Sequence, residues 1–361
     1  MKSDWNRPLP EHLPAPSYAP PIVAAGLMLL LWGAVTSWLV SAIGLVVTGF
    51  ASVLWLGDLR PRGAGTRAGA FAAPLAGPVE PLRTTGRIVL AIGKPVDLAT
   101  QTPWVYRCAL LLAVCALSVV VTGAMITSGG AAASSLIQQA HRLGGALAGI
   151  LALYLCAKLR GLAWILVLAV GIEALLGLAG RAPLAGALHA FVAQLFFAAS
   201  VAAALVTSSG WKREPEFAED MPKVSLRSLA QITVGLVVIQ VALGAAVRHK
   251  LMGSGLHITF ALVVALMIVC VGMLVCNHCA QHGTLRPCSI MMMVITGTQV
   301  FLGFGAFIVR MMADENTLPV VITTGAHVTT GALTLAAAVV LAFQLHRNLR
   351  VTLAQKRAVV S

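Results

Sequence analysis

Long, almost uncharged apolar runs recur along the chain, and they constrain its fold more than any other feature. Of the 361 residues, 58% are hydrophobic and only 10% are charged, whereas soluble domains carry about 25% charged residues. A helix of roughly 20 apolar residues can span a bilayer, because it satisfies its own backbone hydrogen bonds in lipid. The composition therefore excludes an ordinary soluble enzyme and a disordered chain, and it predicts an all-α integral membrane protein.

We predict about ten transmembrane helices. The eight clear spans are Trp104–Thr127, Leu136–Leu155, Leu162–Ala179, Pro183–Val206, Leu226–Val247, Gly255–Cys276, Cys288–Val309 and Pro319–Leu345. Ahead of them, Pro21–Leu56 is too long for one helix, and we interpret it as two spans that turn near Ser41.

These spans divide the chain into an N-terminal two-helix hairpin and a pseudo-symmetric eight-helix body made of two four-helix bundles. The predicted segments are a tail and hairpin (1–57), a cytoplasmic linker (58–103), the N-terminal bundle (104–207), a second cytoplasmic linker (208–224), the C-terminal bundle (225–346) and a cytoplasmic tail (347–361).

The basic residues predict the orientation of the body. With ten spans and both termini on one side, twenty of the 25 Lys and Arg residues fall on that side and five on the other. Lys and Arg concentrate in cytoplasmic loops. We therefore expect a multi-pass protein of a bacterial-type cytoplasmic membrane with both termini in the cytoplasm. This bias also explains the net charge of +13, so no nucleic-acid partner is needed to account for it. The partner that the apolar spans predict is membrane lipid.

Four of the nine histidines lie inside predicted spans: His141, His189, His257 and His327. Each follows the outer start of its helix by a few residues, so all four are expected within roughly 12 Å of the outer surface. Two lie in each bundle, on its second and fourth helices. An ionisable residue inside a membrane is a functional candidate by default.

Three interpretations of the four histidines remain open at this point. Two neutral imidazoles that face each other across a bundle can hold a haem. The same rings could bind another metal ion, although zinc or copper usually takes a third or fourth ligand. They could also be structural and hydrogen-bond to neighbouring helices.

The order of features suggests a weak internal repeat, and it carries a family resemblance. The relevant pieces are His141-Arg142 at the start of a helix, "LHAFVAQLFF" around His189, "GAAVRHKLMGSGLH" up to His257 and "AHVTTGALTLAAAVVLAFQLHR" from His327. From about Trp104 to Arg347, the chain resembles the haem A synthase family, whose members are eight-helix membrane proteins built from two halves.

The resemblance implies a division of labour between the two histidine pairs. His257 and His327 would hold a permanent haem b, and His141 and His189 would address the substrate haem. The family oxidises a methyl group of haem O to the formyl group of haem A, which cytochrome oxidase uses. Haem O synthase or a haem–copper oxidase complex would then be a partner.

Four further residues are expected to serve these sites. Members of the family carry a Glu three residues before the first histidine, where this chain has Gln138. Glu173, the one acidic residue inside any predicted span, could replace that carboxylate, or it could be a protonated structural Glu bonded to a neighbouring helix. Arg142 and Arg248 would suit haem propionates, and the alternative is that both snorkel to the surface.

Two functions from different classes follow. The first is an oxidoreductase of haem A biosynthesis and cytochrome oxidase assembly. The second is a haem b electron-transfer or assembly subunit of a terminal oxidase that lacks synthase activity. Gln138 and the N-terminal hairpin, which resembles the hairpins of oxidase subunits, favour the second; the retained pair His141 and His189 favours the first.

Overall fold

The protein is all-α, as the composition predicts. The computed structural model describes residues 19–36, 38–59, 103–130, 134–159, 163–179, 182–221 and 224–350. The predicted tails before residue 19 and after residue 350, and the linker between residues 60 and 102, lie outside the described residues. The described residues 19–59 and those from 103 onwards belong to two separate compact units.

The first unit contains α1 (Ala19–Thr36) and α2 (Trp38–Leu59). The two helices approach each other at three glycines: Gly26 beside Thr48, Gly33 beside Ser41, and Gly44 beside Leu30. Residues later in α1 contact residues earlier in α2, so the two helices are antiparallel. The turn was expected near Ser41, and this prediction is wrong by about one helical turn. Ser41 lies within α2, where its hydroxyl donates to the Leu30 carbonyl at 3.0 Å.

The second unit contains eight long helices and a small capping structure. Its elements are α3 (Pro103–Gly129), α4 (Ser135–Leu159), α5 (Ala163–Leu178), α6 (Pro183–Thr207), α7 (Ser209–Lys212), β1 (Ala218–Glu219), α8 (Leu226–Arg248), α9 (Ser254–His278), α10 (Leu285–Met312), α11 (Leu318–Asn348) and β2 (Leu349–Arg350). Pro183 and Pro319 lie in the first turns of α6 and α11, where the missing N–H has no intrahelical partner to lose.

Seven helices of the described chain are long and apolar enough to cross a membrane, and the stretches Val40–Leu56 and Ala163–Leu178 are shorter apolar helices. The one predicted span that remains, the first in the chain, corresponds to α1. Large apolar side chains cover the outside of the body; Phe301 is 80% exposed and Leu175 is 69% exposed. Such a surface suits lipid rather than water.

Each half of the body is a closed ring of four helices, and the two rings are related by pseudo-two-fold symmetry. In the first half α3 packs on α4, α4 on α5, α5 on α6, and α6 on α3; α8 to α11 repeat this arrangement in the second half. Between the halves, α3 packs on α11, its counterpart α8 packs on α6, and α6 packs on α11. Helices α6 and α11 contribute to both hydrophobic cores, so they form the centre of the body.

Helices α4, α6, α9 and α11 all begin at one end of the body, which we call the histidine end. The opposite end is closed by the segment that joins the two halves. There β1 pairs in parallel with β2, and the buried Asp220 accepts hydrogen bonds from the main-chain N–H groups of Met221 and Leu226, both at 2.8 Å. His278 and His282 bind the carbonyls of Glu219 and Glu216, each at 2.8 Å.

Candidate haem-binding site

The four intramembrane histidines form two pairs, one in each half. His141 on α4 and His189 on α6 have ring centroids 6.1 Å apart, and His257 on α9 and His327 on α11 have centroids 6.3 Å apart. In both halves the two helices stand diagonally across the four-helix ring, so the imidazoles meet in its middle. The fold thus brings together the histidines that the sequence predicted as pairs.

The separation of the rings fits a shared metal ion. A metal–imidazole bond of about 2.0–2.1 Å to each ring puts two ring centroids roughly 6 Å apart. In the described part of the chain, no group of three or more His, Cys, Asp or Glu side chains is placed to hold a metal ion. The candidate ligands therefore come in pairs, and a pair suits a haem because the macrocycle supplies the remaining iron ligands.

The first pair is held from behind by α3 and α5. Nδ1 of His141 donates to the Val119 carbonyl at 3.1 Å and also lies 3.1 Å from the Thr122 hydroxyl oxygen. Nδ1 of His189 lies 2.6 Å from Oε2 of Glu173. A carbonyl and a carboxylate only accept hydrogen bonds, so both contacts favour the tautomer that carries its proton on Nδ1. In that tautomer the lone pair of Nε2 is free to bind a metal ion.

The second pair is held by glutamines on α8 and α10. Nδ1 of His327 donates to the main-chain carbonyl of Gln299 at 3.2 Å. The side-chain amide nitrogen of Gln240 lies 3.0 Å from Nδ1 of His257. The same nitrogen donates to the main-chain carbonyl of His257 at 3.0 Å, so the group behind this ring is a hydrogen-bond donor, unlike the acceptors behind the other three rings.

The glutamine side chains of the second pair also approach the other ring nitrogens. The amide nitrogens of Gln240 and Gln299 lie 3.4 and 3.5 Å from Nε2 of His257 and His327, at the limit of a hydrogen bond. A metal ion bound at Nε2 would displace only a weak contact. The ring separations in both pairs, and the acceptors behind three of the four rings, therefore fit a bis-histidine haem.

Glu173 lies at the depth of the first pair, as expected, and its side chain is 15% exposed. It contacts the back of His189 rather than standing alone, and its second oxygen, Oε1, is buried without a hydrogen-bond partner. Gln138 is half-buried on α4, one turn before His141 and therefore on the same helix face.

The two arginines proposed for propionates differ in their surroundings. Arg142 is exposed beside His141. Arg248 is half-buried at the end of α8, and its Nη2 donates to the Ala124 carbonyl and, at 2.8 Å, to the Ser128 hydroxyl on α3. Its Nη1 is buried without a partner, so one face of the guanidinium remains available to a carboxylate.

His249, next to Arg248 in the sequence, is not among the predicted site residues. In the structure it is half-buried against Gly186 on α6, and its Nε2 has no partner. Burial lowers the pKa of His249, and the charge of Arg248 lowers it further. In the sequence, the only sign that His249 belongs to the site is its position next to Arg248.

No known protein family matches the chain, and no curated protein is similar to it. The two histidine pairs, their hydrogen-bond partners and the arrangement of helices around them are therefore the basis for a functional assignment.

Proposed function

We propose that this protein is a haem-binding membrane oxidoreductase similar to haem A synthase. The observation that carries the proposal is the pair of imidazoles, repeated at 6.1 and 6.3 Å across the diagonals of two four-helix rings. In this assignment His257 and His327 hold a permanent haem b. His141 and His189 would address haem O, the substrate. Conversion of its methyl group to the formyl group of haem A takes up the oxygen of one water molecule and releases four protons and four electrons, which an external electron acceptor would take up.

The chain's own residues would position and orient both haems. A bound haem b supplies one-electron chemistry at its iron. The imidazoles are fixed from behind by Val119, Glu173, Gln240 and Gln299, so that each ring keeps its orientation when Nε2 binds iron. Arg248 offers a buried, unpartnered N–H at the histidine end for a propionate.

The carboxylate of Glu173 supports enzymatic chemistry at the first pair rather than the second. It is the one carboxylate that contacts a ring of either pair in the described residues, and the corresponding position in the second half is Gln299. A carboxylate behind a ligand makes the imidazole a stronger donor. We propose that Glu173 acts through His189, as a positioning residue, and thereby gives the substrate side a different electronic environment.

A second function is favoured by the similarity of the two pairs. Their ring separations differ by only a few tenths of an ångström, so both can hold a permanent haem in the same way. Gln138 offers no charge beside His141. A haem b electron-transfer or assembly subunit of a terminal oxidase would have these features.

Identification of the bound haems tests both functions. The full-length protein would be purified in detergent from hosts with and without haem O synthase, and its haems extracted and weighed by mass spectrometry. Haem b together with haem O, its hydroxylated form or haem A supports the synthase assignment. Haem b alone in both hosts supports the electron-transfer role. A protein without haem contradicts both.

We further propose that the histidine end faces the outside of a bacterial cytoplasmic membrane, with both termini inside. The support is the distribution of Lys and Arg, twenty to five between the two sides. Haem O synthase or a haem–copper oxidase would be the protein partner in this membrane.

A further inference from the structure

Each of the four paired histidines lies against a glycine on the helix that precedes it in the chain. A Cβ atom built on the glycine would lie close to Cε1 of the ring: 3.1 Å for Gly123 and His141, 3.7 Å for Gly177 and His189, 3.0 Å for Gly244 and His257, and 2.8 Å for Gly303 and His327. At Gly123, Gly244 and Gly303 the imidazole thus occupies space that a side chain would otherwise fill, whereas the 3.7 Å at Gly177 is an ordinary contact.

The residue four positions before each glycine is the one that faces Nδ1 of the ring. These residues are Val119, Glu173, Gln240 and Gln299, which use a carbonyl, a carboxylate, an amide and a carbonyl respectively. In a helix, positions i and i+4 share a face, and the carbonyl of residue i bonds to the N–H of residue i+4. At Val119 and Gln299, whose carbonyls face the rings, a glycine at i+4 leaves the carbonyl open to a second donor.

We infer that Gly123, Gly244 and Gly303 are positioning residues for the histidine ligands, because a Cβ atom at each would come within 3.1 Å of the ring. The same two-helix unit occurs four times, twice in each half. Its first helix carries the residue that faces Nδ1 and, four positions later, a Gly; its second helix carries the His. The inference rests on the proposed role of the histidines as haem ligands. It explains why the rings reach the same place in both halves although the His follows the Gly by 18, 12, 13 or 24 residues in the four units.

Close contact with a histidine is not a general property of glycines in these helices. Gly171 on α5, Gly235 on α8, and Gly297 and Gly305 on α10 would each accept a Cβ in open space. Replacing any of these glycines by Ala changes helix propensity by the same amount as replacing a glycine that contacts a ring. They are therefore matched controls for substitution by Ala.

The test compares alanine substitutions in the full-length protein in detergent. Gly303→Ala and Gly244→Ala are expected to displace the His327 and His257 rings, because the new carbon would come within 3.0 Å of them. We expect haem to be lost to excess apomyoglobin roughly 10-fold faster or more, with altered electron paramagnetic resonance of the oxidised haem. Gly305→Ala and Gly235→Ala should match wild type, and so should Gly177→Ala, whose carbon would make an ordinary contact.

A double-mutant cycle keeps the inference testable whether or not haem is bound. If Gly303 acts by making room for the ring, Gly303→Ala should lower the thermal unfolding midpoint of wild type but not that of His327→Ala. Equal effects in both backgrounds would overturn the inference. So would identical spectra and haem retention for Gly303→Ala and Gly305→Ala. A wild-type protein without haem would instead overturn the proposed function, and the cycle would still report whether the glycine positions the ring.

Discussion

At the scale of single residues, the group behind each imidazole distinguishes the two pairs. A carboxylate and a main-chain carbonyl stand behind the first pair, whereas two glutamines stand behind the second. Partners of this kind set the basicity of a ligand, and with it the affinity and potential of the metal. The two halves share a geometry but differ in charge at this position.

Replacing Glu173 by Gln removes the charge and keeps the shape of the side chain. We expect a higher midpoint potential for the haem at the first pair and roughly 10-fold weaker retention, with no change at the second pair. A redox titration followed by absorbance measures this. Glu315→Gln is the control, because Glu315 lies at the same end but contacts Lys250 instead of a histidine. An unchanged potential in Glu173→Gln would show that the carboxylate does not act through His189.

At the scale of secondary-structure elements, polar contacts at the helix ends connect elements that are distant in sequence. The C-terminus of α3 receives the guanidinium of Arg248 from α8, 120 residues away at Ser128. A positive charge is favourable at the negative end of a helix dipole. At the opposite end, Asp220 accepts from the first N–H of α8. The Arg248 contact joins the two halves, where apolar packing alone offers little specificity, whereas the Asp220 contact is local and caps the start of α8.

The substitution Arg248→Gln should destabilise the body by about 1–3 kcal/mol, because it removes charge-assisted hydrogen bonds to α3 at a half-buried site. Thermal unfolding in detergent measures the loss. Arg310→Gln, which removes a more exposed charge 3.8 Å from Glu315, should have a much smaller effect. If both variants unfold at the same temperature, Arg248 does not tie the halves together.

The substitution Asp220→Ala should destabilise the opposite end by about 1–3 kcal/mol, because buried N–H groups at the start of α8 lose their acceptor. Limited proteolysis should then cut between α7 and α8 faster than in wild type. Glu219→Ala is the neighbouring control, since its side chain is exposed and only its carbonyl binds His278. Equal cleavage rates in the two variants would contradict this role of Asp220.

At the scale of the whole molecule, the body is two copies of a four-helix ring joined along α6 and α11. Every helix contact in one half has a counterpart in the other. Each ring contains its own histidine pair, so the two sites are built from separate helices. In the proposed function, this arrangement would let one half keep a permanent haem while the other exchanges its substrate.

Substitutions in the two pairs should therefore act independently. His327→Ala is expected to remove the haem of the second half and to leave that of the first, and His141→Ala the reverse. Haem per chain, measured on purified full-length protein, checks this. His346→Ala, on α11 but outside the pairs, should match wild type. Loss of both haems from either single variant would contradict two independent sites.

The orientation in the membrane has a separate test. A fluorescent protein fused after Ser361 should fold in the cytoplasm and fluoresce, and alkaline phosphatase inserted after Lys250 should be exported and active. Insertion of the same phosphatase near Gly283, in the turn between α9 and α10, is the control and should be inactive. The reverse pattern would place the histidine end inside the cell.

The sequence by itself determined the class of protein, the span boundaries to within a few residues and the four histidines of the pairs. These features are local, because an uncharged run must be helical in lipid and an intramembrane His is conspicuous. The position of Glu173 near the depth of the pairs also followed from its place along α5.

Only the tertiary structure decided which helix faces meet. The lipid-facing side of a membrane helix is as apolar as its buried side, so hydropathy does not reveal how each helix is rotated about its axis. Phe301 on α10, for example, is 80% exposed. The contact of Glu173 with His189, the four glycines behind the rings, and the reach of Arg248 to α3 all depend on that rotation. They are set by close packing between helices, which are consecutive in the chain at the four rings and 120 residues apart at Arg248.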